Sequence, residues 1–388
     1  MISFDNTKTA FKYKSDKELK RALWLFKMMA SPVINSLGTK MLSLSLKLRL
    51  PVIGLIRNTA FAQFCGGESI EECNQTMNKL AEHGVQSLLD YSVEGKESEE
   101  DFNRTAKMVS KTIDIAKENP AVPFAVFKLT GVMALSLLQK LNESQPLTEQ
   151  EEKQYNFAIK RIDKICKKAY NLGVPVMIDA EESWIQDAID EIVEEMMMNY
   201  NKESAIIYNT LQMYRHDRLD FLKRKHKHSQ VNGYFLGVKI VRGAYMEKER
   251  ERALQLNYPS PIQPDKESTD KDYDLSLEYI MDNISGMALC AGTHNENSSD
   301  FLCRLMKVHE MKMKDSKVYF AQLLGMSDHI SFNLADSGYN VVKYVPFGPI
   351  KDVMPYLIRR AEENTSIAGQ TGRELRLLTE EVSRRNHA

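Results

Sequence analysis

From about residue 84 onward, short apolar runs recur along the chain at intervals too long for hairpins, with helix-like stretches between them. They are VQSLLDYS (85–92), PFAVFKLTG (123–131), VPVMIDAEES (174–183), AIIYNTLQMY (205–214), YFLGVKIVRGAY (234–245), MALCAGTHN (287–295), KVYFAQLLGM (317–326) and NVVKYVPFG (340–348). Continuous β-branched and aromatic runs fit parallel strands buried on both faces, and the spacers are long enough for crossover helices. Eight such units are the count for a (β/α)8 TIM barrel, an α/β fold. Each run also turns polar at its C-terminal end: Asp90, Lys128, Asp179, Gln212, Lys239 with Arg242, His294, Gln322 and Tyr344. In a barrel these ends share the rim where active sites are built, which favours an enzyme over a scaffold.

The remaining segments fit around that core. The pattern divides the chain into an N-terminal helical arm (1–80), the barrel (81–375) and a C-terminal tail (376–388). The sequence after Thr371, GRELRLLTEEVSRRNHA, reads as a short exposed helix. Residues 140–156 and 256–273 are polar and read as surface loops, and KRKHKH (223–228) as a solvated helix end. Between Lys20 and Arg57 the chain carries seven basic residues and no acid, interleaved with Trp24, Leu25, Phe26 and the run LSLSLKLRLPVIGLI. This stretch reads either as a helical arm packed on the barrel or as a basic amphipathic surface for anionic lipid.

Composition narrows the class. With 388 residues, 43% of them hydrophobic and 27% charged, the chain can bury a large core. A formal charge of -1 gives no basic field, so nucleic acid is not an expected partner. Cys65, Cys73, Cys166, Cys290 and Cys303 form no CxxC pair or zinc spacing, and their odd number suits reduced thiols in a cytosol-like compartment. Asp5, Asp16 and Glu18 argue against a transit peptide, and no apolar run reaches a membrane-spanning length. The expectation is a bacterial cytoplasmic protein, peripheral to the inner membrane if the basic arm binds lipid, or a mitochondrial one if the source is eukaryotic.

Three chemistries suit the strand ends. Lys128 or Lys239 could form a Schiff base, as in a barrel aldolase. Asp179, Glu181, Glu182 and His294 could hold a divalent metal, although alternation along a strand places Asp179 and Glu182 poorly for one ion. The basic and amide side chains could instead cradle an anionic cofactor beside an anionic substrate. The stretch YVPFGPIKDVMPYLIRRAEENTS (344–366) adds a turn at Gly348-Pro349 and a helix bearing Arg359, Arg360 and Glu363. Paired guanidinium groups can grip a carboxylate with two prongs each, or can serve as an ordinary surface pair with the glutamate.

The words PFAVFKLTG, MIDAEES, NTLQMY, VKIVRGAY, AGTHN, FAQLLGM, YVPFG and YLIRRAEEN, in this order, resemble proline dehydrogenase, the FAD-dependent family of proline catabolism. The resemblance runs from about residue 60 to about 370 and is greatest to the monofunctional branch, with no second domain after the barrel and no DNA-binding segment before it. It implies a distorted barrel that binds FAD and no metal. It assigns the substrate carboxylate to Arg359, Arg360 and Lys128, with Asp179 orienting and neutralising Lys128. Tyr344, Tyr356, Tyr245 and Leu323 would pack around the ring, and Glu68 in FCGGESIEE would close the site by pairing with Arg359. For FAD it points to Gln212, Lys239, Val241, Arg242, Gly243, Tyr245, Thr293, His294, Asn295, Gln322, Arg360, Glu363 and Ser366.

The implied reaction is oxidation of L-proline to Δ1-pyrroline-5-carboxylate, the first step of proline catabolism to glutamate, by hydride transfer from C5 to the flavin N5. Electrons would pass to a membrane quinone, which gives the basic stretch 20–57 a purpose. The bulk of Tyr344 favours proline over hydroxyproline, because relatives that prefer hydroxyproline carry a smaller residue there. Lys239 departs from the bifunctional branch, which has arginine at that position. Hydroxyproline oxidation and a Lys128 Schiff-base aldolase are the alternatives.

Overall fold

The computed structural model describes residues 2–30, 53–93, 95, 97–366 and 370–387, with the side chains of 361–371 outside the description. Eight parallel strands, one in each apolar run, close into a barrel in sequence order. They are β1 (Gln86–Tyr91), β2 (Phe124–Lys128), β3 (Val176–Asp179), β4 (Ile207–Gln212), β5 (Leu236–Val241), β6 (Met287–Gly292), β7 (Val318–Leu323) and β8 (Val341–Phe347). The eight-stranded barrel expected from the apolar runs is the observed fold. All six residues of β4 are buried, the double-faced burial that lets an uninterrupted apolar run serve as a strand. The chain divides into two compact units, one of residues 1–94 with 321–388 and one of 95–320.

Within the larger unit, register decides which polar ends stand side by side. Lys128 lies opposite Asp179 in the β2–β3 pair, and Gln212 opposite Val241 in the β4–β5 pair. Two expected loops are largely helical. The helix Glu149–Leu172 begins inside the stretch 140–156, started by a capping box between Thr148 and Glu151. The helix Lys266–Asp282 begins inside 256–273, capped by Asp265. Glu, Lys and Gln are good helix formers, so a polar run with few apolar residues still folds as the wet face of a helix. KRKHKH likewise lies inside the helix Arg218–Asn232 and not at its end; Lys223, Arg224, Lys227 and His228 are solvated as expected, while His226 is buried.

The smaller unit is assembled around the N-terminal arm. The helix Asp16–Met29 is started by a Ser15–Glu18 capping box and buries Leu19, Ala22, Phe26 and Met29, a spacing of three and four residues that makes one apolar face. That face joins a cluster with Phe61, Met354 and Leu378. The described part of the basic stretch is therefore a packed arm, while Lys40, Lys47 and Arg49 lie outside the described residues. The C-terminal helix runs from Gln370 to Asn386 and buries Leu377, Leu378 and Glu381, so it is neither short nor exposed. Leu375, Leu378 and Val382 form its apolar stripe, which the flanking Arg and Glu residues obscure in the sequence.

A buried charge cluster ties this unit together. Lys343 of β8, with no exposed surface, lies 2.9 Å from Asp328, and its ammonium also donates to the carbonyls of Leu323 and Met326. Asp328 further meets Lys14 at 3.3 Å and accepts a 2.7 Å bond from the Tyr13 hydroxyl. Burial alone would raise the Asp328 carboxyl, but Lys343 and Lys14 outweigh it and hold it at about 2. Burial acts the other way on Lys343, drawing its ammonium below the ordinary lysine value. The 2.9 Å contact and two carbonyl partners argue for the charged form. With its folded pKa depressed, Asp328 stabilises the fold above its unfolded value, and that stabilisation is lost as the pH falls toward 2. Lys343→Met should cost about 3 kcal/mol in urea unfolding, because it leaves a buried carboxylate with one cation fewer. Unchanged stability would show that Lys14 alone suffices.

Candidate active site

In the larger unit, the ends of β2, β3 and β5 converge on one carboxylate. Lys128 donates to Asp179 Oδ2 at 3.0 Å, and Lys239 donates to Asp179 Oδ1. Asp179 and Lys239 are both buried. Two ammonium groups thus share one carboxylate in a site partly withdrawn from water. Two cationic side chains gathered at the strand ends suit an anionic ligand.

The neighbouring carboxylates are committed elsewhere. Glu181 accepts from the backbone N–H of Thr130 at 3.1 Å and from its hydroxyl. Burial pushes the Glu181 carboxyl up to about 7, against the pull of the Thr130 bonds and the Lys128 charge. Glu182 pairs with Lys248, and Glu249 accepts 2.6 Å bonds from the amide and hydroxyl of Ser183. The three carboxylates of the metal reading are thus bonded to lysines or to Thr130: Asp179 to Lys128 and Lys239, Glu181 to Thr130, Glu182 to Lys248. Among the described residues no group of three His, Cys, Asp or Glu is placed to hold an ion.

After β4 and β5 the chain offers amide, backbone and guanidinium groups. The Gln212 amide donates to the Glu181 carbonyl at 2.7 Å and accepts from the Ala244 N–H at 3.1 Å. Gly243 has φ +138°, and a Cβ there would come within 2.5 Å of the Tyr214 ring, so only glycine fits this turn. Arg242 is held rigidly. It donates to Asp270 at 2.6 Å, Thr293 at 2.6 Å and Ser298 at 2.9 Å, and its guanidinium lies 4.4 Å from the Tyr273 ring centroid. Asn295 caps the helix Glu296–Val308 by accepting from the amides of Asn297 and Ser298. Val241, Tyr245 and His294 are half-buried nearby in the chain.

The smaller unit holds the second set. The Gln322 amide oxygen accepts from Ser331 at 2.9 Å, and the amide of Leu324 donates to the Tyr344 carbonyl at 2.9 Å, which fixes Leu323 beside β8. The turn at Gly348, with φ +143°, leads into the helix Ile350–Ser366. On that helix Tyr356 and Arg360 are buried and Arg359 is half-buried, and the Arg360 guanidinium lies 5.3 Å from the Tyr356 ring centroid. Tyr344 is half-buried on β8, opposite Leu88 of β1. Glu68, expected against Arg359, makes its ion pair with Arg57 and accepts from the Ile350 N–H at 3.2 Å. A helix N-terminus attracts a carboxylate, which accounts for this placement. The side chains of Glu363 and Ser366 lie outside the described residues.

The family model for proline dehydrogenase matches residues 73–373. The chain belongs to the proline dehydrogenase family. It is an enzyme of that family, as the resemblance implied. It is 34% identical to "Proline dehydrogenase 1, mitochondrial" of Dictyostelium discoideum, covering 98% of this chain and 74% of that protein. It is 31% identical to "Hydroxyproline dehydrogenase" of Xenopus laevis, covering 97% of this chain and 88% of that protein. In fold it is similar to proline utilization A of Bdellovibrio bacteriovorus, with a TM-score of 0.72 at 19% identity. That match covers 93% of this chain and 38% of the other.

Three contacts at these positions were not foreseen from the sequence: Lys239 with Asp179, Thr130 with Glu181, and Arg57 with Glu68. The first could have been anticipated, because β3 and β5 both end in charge. The other two link residues 51 and 11 positions apart, and carry no local pattern.

Proposed function

We propose that the protein oxidises L-proline to Δ1-pyrroline-5-carboxylate with a bound FAD and passes the electrons to a quinone-type acceptor. The observation that carries this reading is the Lys128–Asp179–Lys239 cluster, whose two ammonium groups at the strand ends suit a small carboxylate. Arg359 and Arg360 would grip the same carboxylate. Tyr245, Leu323, Tyr344 and Tyr356 would pack around the pyrrolidine ring and exclude water from it. The ring nitrogen must shed its proton before oxidation, so these residues have to orient the neutral amine.

The residues after β4, β5 and β6 fit a flavin nucleotide. Gly243 has a backbone that no side chain shields, Arg242 is a rigidly held cation, and Gln212 and Asn295 supply amide groups. This mixture of cation, amide and bare backbone is what an anionic, multiply hydrogen-bonding group needs. Gln212, Lys239, Val241, Arg242, Gly243, Tyr245, Thr293, His294, Asn295, Gln322 and Arg360 would hold it, together with Glu363 and Ser366. When bound, the flavin supplies the two-electron acceptor that side chains lack.

Hydroxyproline is the second reading, favoured by the name of the Xenopus relative. The bulk of Tyr344 speaks for proline. The aldolase reading is weaker, since a lysine nucleophile must be neutral and the Lys128 ammonium is held by Asp179 at 3.0 Å. Among the described residues no helix is long and apolar enough to cross a membrane. Delivery of electrons to a membrane quinone would therefore rest on peripheral contact through residues 20–57. The corresponding location is the bacterial cytoplasm beside the inner membrane, or the mitochondrion.

The test is an absorption spectrum of the purified protein before and after anaerobic L-proline. A flavin band that bleaches with proline, and far less with hydroxyproline, is the expected result. A colourless protein that FAD cannot reconstitute would overturn the reading.

A further inference from the structure

The helix Ser183–Tyr200, which follows β3, starts without a cap of its own: the side chain of its N-cap residue, Glu182, bonds to none of the first-turn amides. The acceptor comes instead from the helix Met246–Leu256, which follows β5. Glu249 of that helix, with no exposed surface, accepts from the Ser183 N–H with one oxygen and from the Ser183 hydroxyl with the other, both at 2.6 Å. Both oxygens accepting is the pattern of a carboxylate, and the aligned peptide dipoles favour a negative charge at a helix start. Next to it, Lys248 pairs with Glu182. Lys248 and Arg252 also lie 5.3 and 4.5 Å from the Trp184 ring centroid. The helix after β5 thus grips the first turn of the helix after β3.

Between β5 and this latch runs the segment Arg242–Tyr245, and it is held at both ends. Upstream, Arg242 is bonded to Asp270, Thr293 and Ser298, and the Ala244 N–H donates to Gln212. Downstream, the Glu249 N–H donates to the Tyr245 carbonyl at 2.9 Å. Gly243, at φ +138°, lets the backbone between the two anchors turn in a way other residues resist, so the anchors set its course.

We propose that Glu249 is a positioning residue for the flavin: by capping the helix after β3, it fixes the downstream end of the segment Arg242–Tyr245. This rests on the reading of that segment as flavin-binding. The carboxylate is buried, so water does not replace Ser183 when the latch is broken, and the helix bearing Tyr245 loses its anchor. The capped helix also supplies a control. Asn142, in the helix Leu135–Asn142, accepts from the amides of Asp187 and Ala188 at 2.9 and 3.3 Å, so it holds the same helix without touching the segment after β5.

Flavin release from the purified full-length holoenzyme on dilution, followed as the rise in free-flavin fluorescence, tests the proposal. Glu249→Gln keeps the volume but turns an amide N–H toward one of the two Ser183 donors, and should release flavin about tenfold faster than the wild-type protein. Ser183→Ala removes the hydroxyl bond alone and should release it about threefold faster. Asn142→Ala should lower the thermal midpoint and leave the release rate unchanged. Release from Asn142→Ala as fast as from Glu249→Gln would make Glu249 an ordinary helix cap and overturn the proposal, as would wild-type release from Glu249→Gln. If Glu249→Gln does not fold, Ser183→Ala set against Asn142→Ala decides the same question. A wild-type protein that holds no flavin after reconstitution with FAD overturns the flavin reading, and this proposal with it.

Discussion

Asp179→Ala should lower folding stability by about 3 kcal/mol and abolish proline-dependent flavin reduction. The carboxylate lies between Lys128 and Lys239, and its removal leaves two ammonium groups facing each other in a site with little water. Each would lose the counter-charge that Asp179 supplies, and like charges at short range repel. Lys128, freed from its orienting partner, would no longer be held where the carboxylate is proposed to bind. Asp179→Asn keeps the volume but not the charge and should recover part of the stability with little of the activity. Urea unfolding and an anaerobic proline titration measure the two effects separately. Full stability together with unchanged proline affinity in Asp179→Ala would show that neither lysine depends on it.

Arg360→Ala should reduce kcat/KM for proline by about a hundredfold, chiefly through KM, with Arg359→Ala close behind. Arg360 is buried beside the Tyr356 ring, so its guanidinium has a fixed direction and loses little freedom on binding an anion. Arg360→Lys retains charge without the two-pronged fork and should recover only part of the loss. A change in kcat with KM untouched would place Arg360 away from the substrate carboxylate. Because Arg360 is also proposed to contact the flavin, flavin content should be measured alongside, so that loss of cofactor is not read as loss of substrate affinity.

Much of the barrel was legible because its signal is local. Each strand is a short apolar run, and every run became a strand within a few residues of the pattern. The charged strand ends were legible for the same reason, since Lys128, Asp179, Gln212 and Lys239 close their runs. Helix boundaries were less so. The capped starts at Thr148 and Asp265 sit within polar stretches where no apolar period announces a helix. The C-terminal helix reads as exposed in the sequence because its buried stripe of Leu375, Leu378 and Val382 is flanked by charge, and burial depends on what packs against it.

The sequence by itself determined the class of fold, the family and the residue types at the strand ends, because periodicity and ordered motifs are properties of the chain alone. Tertiary structure decided which charge meets which. That Asp179 serves two lysines, that Thr130 holds Glu181, and that Glu68 turns to Arg57 and the start of the helix Ile350–Ser366 all follow from strand register and loop packing. Coulombic attraction and desolvation depend on distance and burial, and neither is set by separation along the chain. The same dependence raises Glu181 to about 7, a value its place in the sequence does not disclose.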